Sequence, residues 1–429
     1  MRARLVRQGA FTPQQVAGRR WPIGCVSLEI TQRCNLDCSV CYLSDRAEAH
    51  VDLPLGELLR RIDLIAAHYG PGTDVQVSGG EPTLRSRDDL LAIVRHLARR
   101  GLRGSLFTNG IRATRELLAA LARAGLVDVA FHVDTTQRRA GYTDEASLNA
   151  LRRSYIERAR GLPLAVFFNT TVHAGNLHEL PLLARFFAEQ SDVVGLASFQ
   201  LQADTGRGVL RSRAPAVTQQ GVMAALSQGA GCTLDFESLL GGHPQCNRYA
   251  LAWVIGGALH PLARDPRDAA FVARTMRETS GVELPRGKPM TSAIAMARAL
   301  ALRPALWPGA VGYALRLAWR ARRGLWAARG RIGKLSFFIH NFMDSAALDA
   351  GRIDACVFAV MTRDGPMSMC AYNAERATRL VQSIRSPDGG AWSPLRPDAT
   401  SKVLPIKFLK GREREAALAT RRVAVHDQP

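Results

Sequence analysis

Six apolar, β-branched runs alternate with five helical patterns across the first half of this 429-residue chain, and that rhythm limits its fold more than any other feature. The strand candidates lie at 26–30, 74–78, 104–108, 127–133, 164–172 and 193–201. The helical patterns between them lie at 55–69, 88–100, 114–124, 145–160 and 177–190. Strand, helix, strand in repetition is the signature of parallel βαβ units, so the predicted class is α/β. In barrels built this way the reacting groups sit on loops at the C-terminal ends of the strands.

Each such loop carries a motif. After the first strand, the run ITQRCNLDCSVCYL places Cys34, Cys38 and Cys41 at CxxxCxxC spacing. Three soft thiolates from one short loop suit an iron–sulfur cube, which has four irons and keeps one open to a ligand from solution. A structural zinc site wants a fourth protein ligand close by, and the next cysteine is Cys232. After the second strand comes SGGEPTL, residues 78–84. Glycine lets backbone approach a ligand closely, and a carboxylate or carbonyl there accepts from an ammonium. Thr108, Asn109 and Gly110 end the third strand and read as a structural Asn-Gly turn. His132 and Asp134 end the fourth, Asn169 and Thr171 lie on the fifth, and Gln200, Gln202 and Arg207 accompany the sixth. Pairs spaced by two point to one side, and polar residues so placed on buried strands line a cavity more often than they fill a core. Glu29, inside the first strand, belongs with the cysteines, while Cys25 reads as a small core residue.

The cysteine triad after one strand, Tyr42 beside its third member, and SGGEPTL after the next strand together resemble the radical SAM enzymes, over roughly residues 25–213. The resemblance implies an open, partial (β/α)6 barrel with a [4Fe-4S] cluster on Cys34, Cys38 and Cys41. It implies S-adenosylmethionine (SAM) held by Ser78, Gly79, Gly80, Glu81 and Pro82, its amino and carboxylate groups chelating the fourth iron, with Asn169 and Thr171 near the ribose. His132, Asp134, Gln200, Gln202 and Arg207 are the other expected cofactor-binding residues. An electron from an external donor such as ferredoxin or flavodoxin would cleave SAM, and the resulting 5′-deoxyadenosyl radical takes hydrogen from an unactivated carbon.

The barrel segment is expected to follow a short extension, 1–24, and to precede a mainly helical C-terminal domain, 214–429. That domain holds Cys232, Cys246, Cys356 and Cys370, the number a second [4Fe-4S] cluster requires. Residues 284–343 contain no acidic residue and eleven basic ones, with tryptophan and leucine interleaved. Read as a helix, the segment puts Arg316, Arg320 and Arg323 on one face and Ala314, Ala321 and Leu325 roughly opposite. A formal net charge of +20 implies a polyanionic partner. No RNA-binding motif is in place, so the expected partner is an anionic membrane surface and no nucleic acid. No apolar run is long enough to span a bilayer and 1–24 lacks a secretory pattern, which predicts a cytoplasmic protein lying peripherally at the inner face of the membrane.

The run HNFMD, then DACVFAV, DGP and MCAYN within residues 337–376 resembles a radical SAM lineage that includes the tetraether lipid synthases. Those enzymes carry a cysteine-paired, rubredoxin-like site ahead of the barrel, and 1–24 has no cysteine. The resemblance implies a lipid or other hydrophobic substrate and a carbon–carbon bond or related modification. The alternative is a peptide-modifying radical SAM enzyme with an auxiliary cluster.

Overall fold

The computed structural model describes residues 24–44, 47–206, 217–239, 242–279, 289–380, 384–385 and 391–394. All six expected strands form: β1 (Cys25–Thr31), β2 (Asp74–Gly79), β3 (Arg103–Thr108), β4 (Asp128–His132), β5 (Ala165–Val172) and β6 (Val194–Leu201). They pair in sequence order and in parallel. The helices between them are α1 (Leu55–Tyr69), α2 (Arg87–Arg99), α3 (Arg115–Ala124), α4 (Glu145–Ala159) and α5 (Leu180–Glu189).

Local chemistry sets these boundaries. Ser86, Thr114 and Asp144 each accept a backbone N–H of the first turn of α2, α3 and α4, and Gly125 ends α3 in the left-handed region at φ 109°. Leu58, Ile62 and Ile65 of α1 share one face at i, i+4, i+7 and are fully buried against Val26, Leu28 and Ile30 of β1. Burying each such side chain contributes about 1.5–3 kcal/mol.

The remainder is helical as expected, with α6 (Gln219–Ala230), α7 (Pro266–Glu278), α8 (Pro289–Ala301), α9 (Trp307–Ala327), α10 (Ala350–Asp354) and α11 (Met369–Arg379). It also extends the sheet across the expected boundary at 213. The strands β7 (Asn247–Ile255), β8 (Ala258–Pro261), β9 (Gly333–His340), β10 (Phe358–Thr362) and β11 (Gly365–Ser368) join the first six in the order β11-β10-β1-β2-β3-β4-β5-β6-β9-β7-β8. Because β9 runs parallel to β6 and β10 parallel to β1, eight parallel strands stand side by side. Phe338 of β9 and Phe358 of β10 lie 5.9 Å apart between ring centroids, so the parallel section curls until its two outermost strands meet through side chains.

The curl separates two surfaces. Outward-facing residues such as Val166 and Phe168 pack with the helices in the main core, while Ala130, Ala165 and Phe167 form a separate apolar floor inside the curl with Phe107 and Leu196. Towards the C-terminal strand ends, residues in the same inward register are polar: His132, Asn169, Thr171 and Gln200.

Candidate active site at the barrel mouth

The cysteine loop leaves β1 at the mouth and is tied down on several sides. Ser39 donates its N–H to the Thr136 carbonyl at 2.7 Å, and the Arg33 guanidinium pairs with Asp52, Nε to Oδ1 at 3.2 Å. Tyr42 donates its hydroxyl to the Gly79 carbonyl at 2.5 Å. All eight cysteines are thiols rather than disulfides, and Cys34, Cys38 and Cys41 are half-buried.

The glycine pair after β2 exists because the cysteine loop lies against it. Gly80 and Glu81 donate backbone N–H groups to the carbonyls of Thr31 and Arg33 at 2.9 and 2.8 Å. A Cβ on Gly79 would stand 2.0 Å from the Thr31 oxygen, and one on Gly80 2.2 Å from the Arg33 oxygen. Gly79 in addition has φ 125°, whereas at Gly80 the obstacle is steric alone. Gly80→Ala is therefore expected to push the cysteine loop outward at a cost of about 1–3 kcal/mol. Thermal unfolding and iron retained after reconstitution should both fall; an alanine variant with unchanged iron would show the loop indifferent to that contact.

Two carboxylates expected to bind cofactor serve as braces. Glu81 is fully buried and accepts from Thr83 N at 3.0 Å, Thr83 Oγ1 at 2.5 Å, Thr108 Oγ1 at 2.7 Å and Asn109 N at 2.7 Å, locking the end of β2 to that of β3. Asp134, also fully buried, meets His132 Nε2 at 2.6 Å and accepts from Thr171 N at 2.7 Å and Thr136 N at 3.0 Å. Burial works against its charge, but His132 and these donors outweigh burial and hold the carboxyl below its ordinary range. Ser78 Oγ lies 2.6 Å from Ser27 Oγ, and Pro82 opens a 3-10 turn. His132, Thr171 and Asn169 share the inner wall, with His132 Nε2 3.2 Å from Thr171 Oγ1. Gln202 donates its N–H to Val172, and Gln200 is half-buried beside it. Arg207 lies outside the described residues.

The loop after β6 closes the ring. A Cβ on Gly206 would fall 2.3 Å from the Tyr42 carbonyl oxygen, so this loop rests on the cysteine loop. Asp344, from HNFMD, holds it there by accepting the Asp204 N–H at 2.6 Å.

Sequence reasoning missed the main support under the cysteine loop. Arg376 of α11 is 1 % exposed and makes two 2.7 Å bonds to Glu29, while its guanidinium stacks on Tyr42 and Tyr372 at 4.6 and 4.7 Å. Burial pushes the Glu29 carboxyl up, but the Arg376 charge and bonds outweigh it and hold the group below its usual range. The available signal was Glu29 itself, since a carboxylate in an apolar strand demands a cation.

Residues 28–180 match the family model of the radical SAM superfamily. That match marks a radical SAM segment within this chain. The chain is 31 % identical over 227 residues to a PqqA peptide cyclase of Rhodopseudomonas palustris, covering 50 % of this chain and 54 % of that protein. It is 29 % identical over 187 residues to a 7,8-dihydro-6-hydroxymethylpterin dimethyltransferase of Methanocaldococcus jannaschii, covering 42 % of this chain and 37 % of that protein. The chain thus spans about half or less of the length of these curated relatives. Among solved structures it is similar to anSMEcpe with bound AdoMet, with TM-score 0.38 and 14 % identity over 48 % of this chain and 59 % of that one.

Radical SAM enzymes use a [4Fe-4S] cluster and SAM, and the mouth fits both. Among the described residues no three His, Cys, Asp or Glu side chains converge closely enough to hold one metal ion. The three soft thiols of one short loop suit a multi-iron body, and the glycine pair lets that loop close against the end of β2, where a Cβ would collide with the Thr31 and Arg33 carbonyls.

The C-terminal thiols fall into two groups. Cys246, Cys356 and Cys370 line one small cavity with Phe342, Met343 and Arg352, at the seam where β9 ends and β10 begins. The Arg352 Nε donates to Cys246 Sγ at 3.2 Å, and the Met343 N–H to Cys370 Sγ at 3.4 Å. Burial, with Cys370 alongside, pushes the Cys356 thiol up to about 12. Cys232, the fourth of the expected set, is not among the residues that line this cavity. It follows the end of α6, donates to the Leu259 carbonyl at 3.4 Å and packs against the main core.

Proposed function

We propose that the chain binds a [4Fe-4S] cluster on Cys34, Cys38 and Cys41 and SAM beside it, and removes hydrogen from an unactivated carbon. When bound, these cofactors supply a 5′-deoxyadenosyl radical, which no protein side chain replaces. The observation that carries the reading is the contact between the cysteine loop and the Gly79–Gly80 pair within a radical SAM domain. With the Glu81 carboxylate engaged as a brace, the Gly79 carbonyl taken by Tyr42 and the Glu81 carbonyl by Leu84, the Gly80 carbonyl is the acceptor in this segment proposed for the SAM ammonium. His132, Asn169, Thr171 and Gln200 line the wall facing the substrate, and the loops after β1 and β6 exclude water over it. An external donor such as ferredoxin or flavodoxin supplies the electron.

A peptide is the favoured substrate, because the relatives include PqqA peptide cyclases at up to 36 % identity. A lipid substrate is the second reading, supported by the likeness of residues 337–376 to the tetraether lipid synthase lineage and by the basic, tryptophan-bearing helix α9. Mass spectrometry of peptides and lipids from cells with and without the gene separates them. A gene-dependent mass change confined to lipids would overturn the peptide reading.

Cys246, Cys356 and Cys370 are proposed to hold a second cluster, with Cys232 uninvolved. After anaerobic reconstitution the protein should carry about twice the iron of one cube. Replacing these three by alanine should halve it, and Cys232→Ala should leave it unchanged. Iron for one cube only, all of it lost with Cys34, Cys38 and Cys41, would rule out the second site.

A further inference from the structure

α9 presents an apolar stripe to solvent. Trp307, Val311, Leu315 and Trp319 follow one another at four-residue steps, and Trp326 comes seven residues later, so all five share a face. Their exposure runs from 51 % at Trp307 to 89 % at Trp326. Three of the six tryptophans of the chain stand on this single face, which scattered surface exposure does not produce.

The opposite side of the helix fixes this orientation. Arg316 and Arg320, expected to form a basic outer face, turn inward instead: Arg316 Nε donates to Asp268 at 2.9 Å, and Arg320 reaches Asp268 and Asp265, each at 2.5 Å. Asp268 is fully buried at the start of α7, so these two arginines are anchors. Tyr313 donates to the Leu262 carbonyl at 2.8 Å and accepts from Trp253 Nε1 at 2.9 Å. A Cβ on Gly324 would meet the Ile255 oxygen at 2.8 Å. Ala321 is buried on the same side as the anchors, whereas Ala314 is exposed, reversing part of the expected face assignment. With its polar inner side engaged, α9 cannot roll to hide the tryptophans.

Cations rim the stripe. Arg322, Arg323, Arg329, Arg331 and Lys334 are exposed, with the Arg322 guanidinium 4.4 Å from the Trp319 ring centroid. From 284 to 343 the sequence supplies no acidic side chain to oppose them. Among the described residues no helix is long and apolar enough to cross a membrane. We propose that α9 lies flat in the interface of an anionic bilayer, tryptophans down and arginines among the head groups. Tryptophan favours the boundary between acyl chain and head group, and arginine the negative surface potential. Docking rests on this surface alone and holds whichever substrate the barrel takes.

Vesicle flotation of the full chain tests it, using phosphatidylglycerol with phosphatidylcholine against phosphatidylcholine alone. Wild type should bind the anionic vesicles more tightly by at least about tenfold, and salt should remove most of that difference. Arg322→Gln with Arg323→Gln and Arg329→Gln should erase the preference for anionic lipid. Trp307→Gln with Trp319→Gln and Trp326→Gln should lower binding to both, with fold checked by circular dichroism. Equal binding to both vesicles, or folded variants that bind as wild type does, would overturn the proposal. So would vesicle-free protein that dimerises through the tryptophans or takes polyuridylate RNA in place of lipid. None of these outcomes bears on SAM cleavage, so the two readings fail separately.

Discussion

Replacing Cys34, Cys38 and Cys41 together by alanine is expected to abolish both the iron–sulfur absorbance attributed to the mouth and all formation of 5′-deoxyadenosine. The effect should be complete because the loop supplies every thiol there: of the five other cysteines, Cys25 is buried on the inward side of β1 and four belong to the C-terminal region. Folding should survive. The loop is held by backbone bonds at Gly80, Glu81 and Ser39 and by the Arg33–Asp52 pair, none of which uses a thiol. A triple variant that keeps its secondary structure and melting cooperativity but loses SAM cleavage is the expected result. One that still yields 5′-deoxyadenosine on reduction would remove these residues from the site.

Arg376→Met is expected to be the most destabilising single substitution, by about 3–5 kcal/mol, because it strands a buried carboxylate. Glu29 would keep only Gln32 and Tyr372 as partners, at 2.9 and 3.3 Å. Tyr42 would lose the cation beneath its ring, loosening the cysteine loop from below. The pH dependence should change sign. In wild type the Glu29 carboxyl is held low, so its contribution to stability is present above the ordinary glutamate value of about 4.3 and fades as pH falls through its lowered value. In the variant, burial is unopposed and raises that value, so acidification should relieve strain and stabilise the variant relative to its behaviour at neutral pH. Glu29→Leu combined with Arg376→Met should recover most of the loss. Denaturant unfolding at pH 5 and pH 8 reads all three; a single variant as stable as wild type at pH 8 would show that the pair is dispensable.

The first six strands and five helices were legible because each repeats a local pattern, period two for strands and near 3.6 for helices, that tertiary contacts did not override. β9 and β10 were not. They are added to β6 and β1 from more than a hundred residues away, and no local pattern records which edge a strand will join. For the same reason the cavity of Cys246, Cys356 and Cys370 was legible as a set of cysteines but not as a set of three, since Cys232 differs from them only in where α6 and β8 carry it. The face of α9 was misread because charge alone suggested that Arg316 and Arg320 point to solvent. Their partners, Asp265 and Asp268, lie some fifty residues earlier and become visible only when α7 packs beside α9.

The central claim is that this mouth binds a cluster and SAM and uses them. Its most direct measurement is anaerobic reconstitution of the full chain, addition of SAM and a low-potential reductant, and chromatographic detection of 5′-deoxyadenosine. The expected result is nucleoside formed only when iron, SAM and reductant are all present, and lost in the Cys34, Cys38, Cys41 triple variant. Reconstituted wild type that carries a full cube yet leaves SAM uncleaved would contradict it.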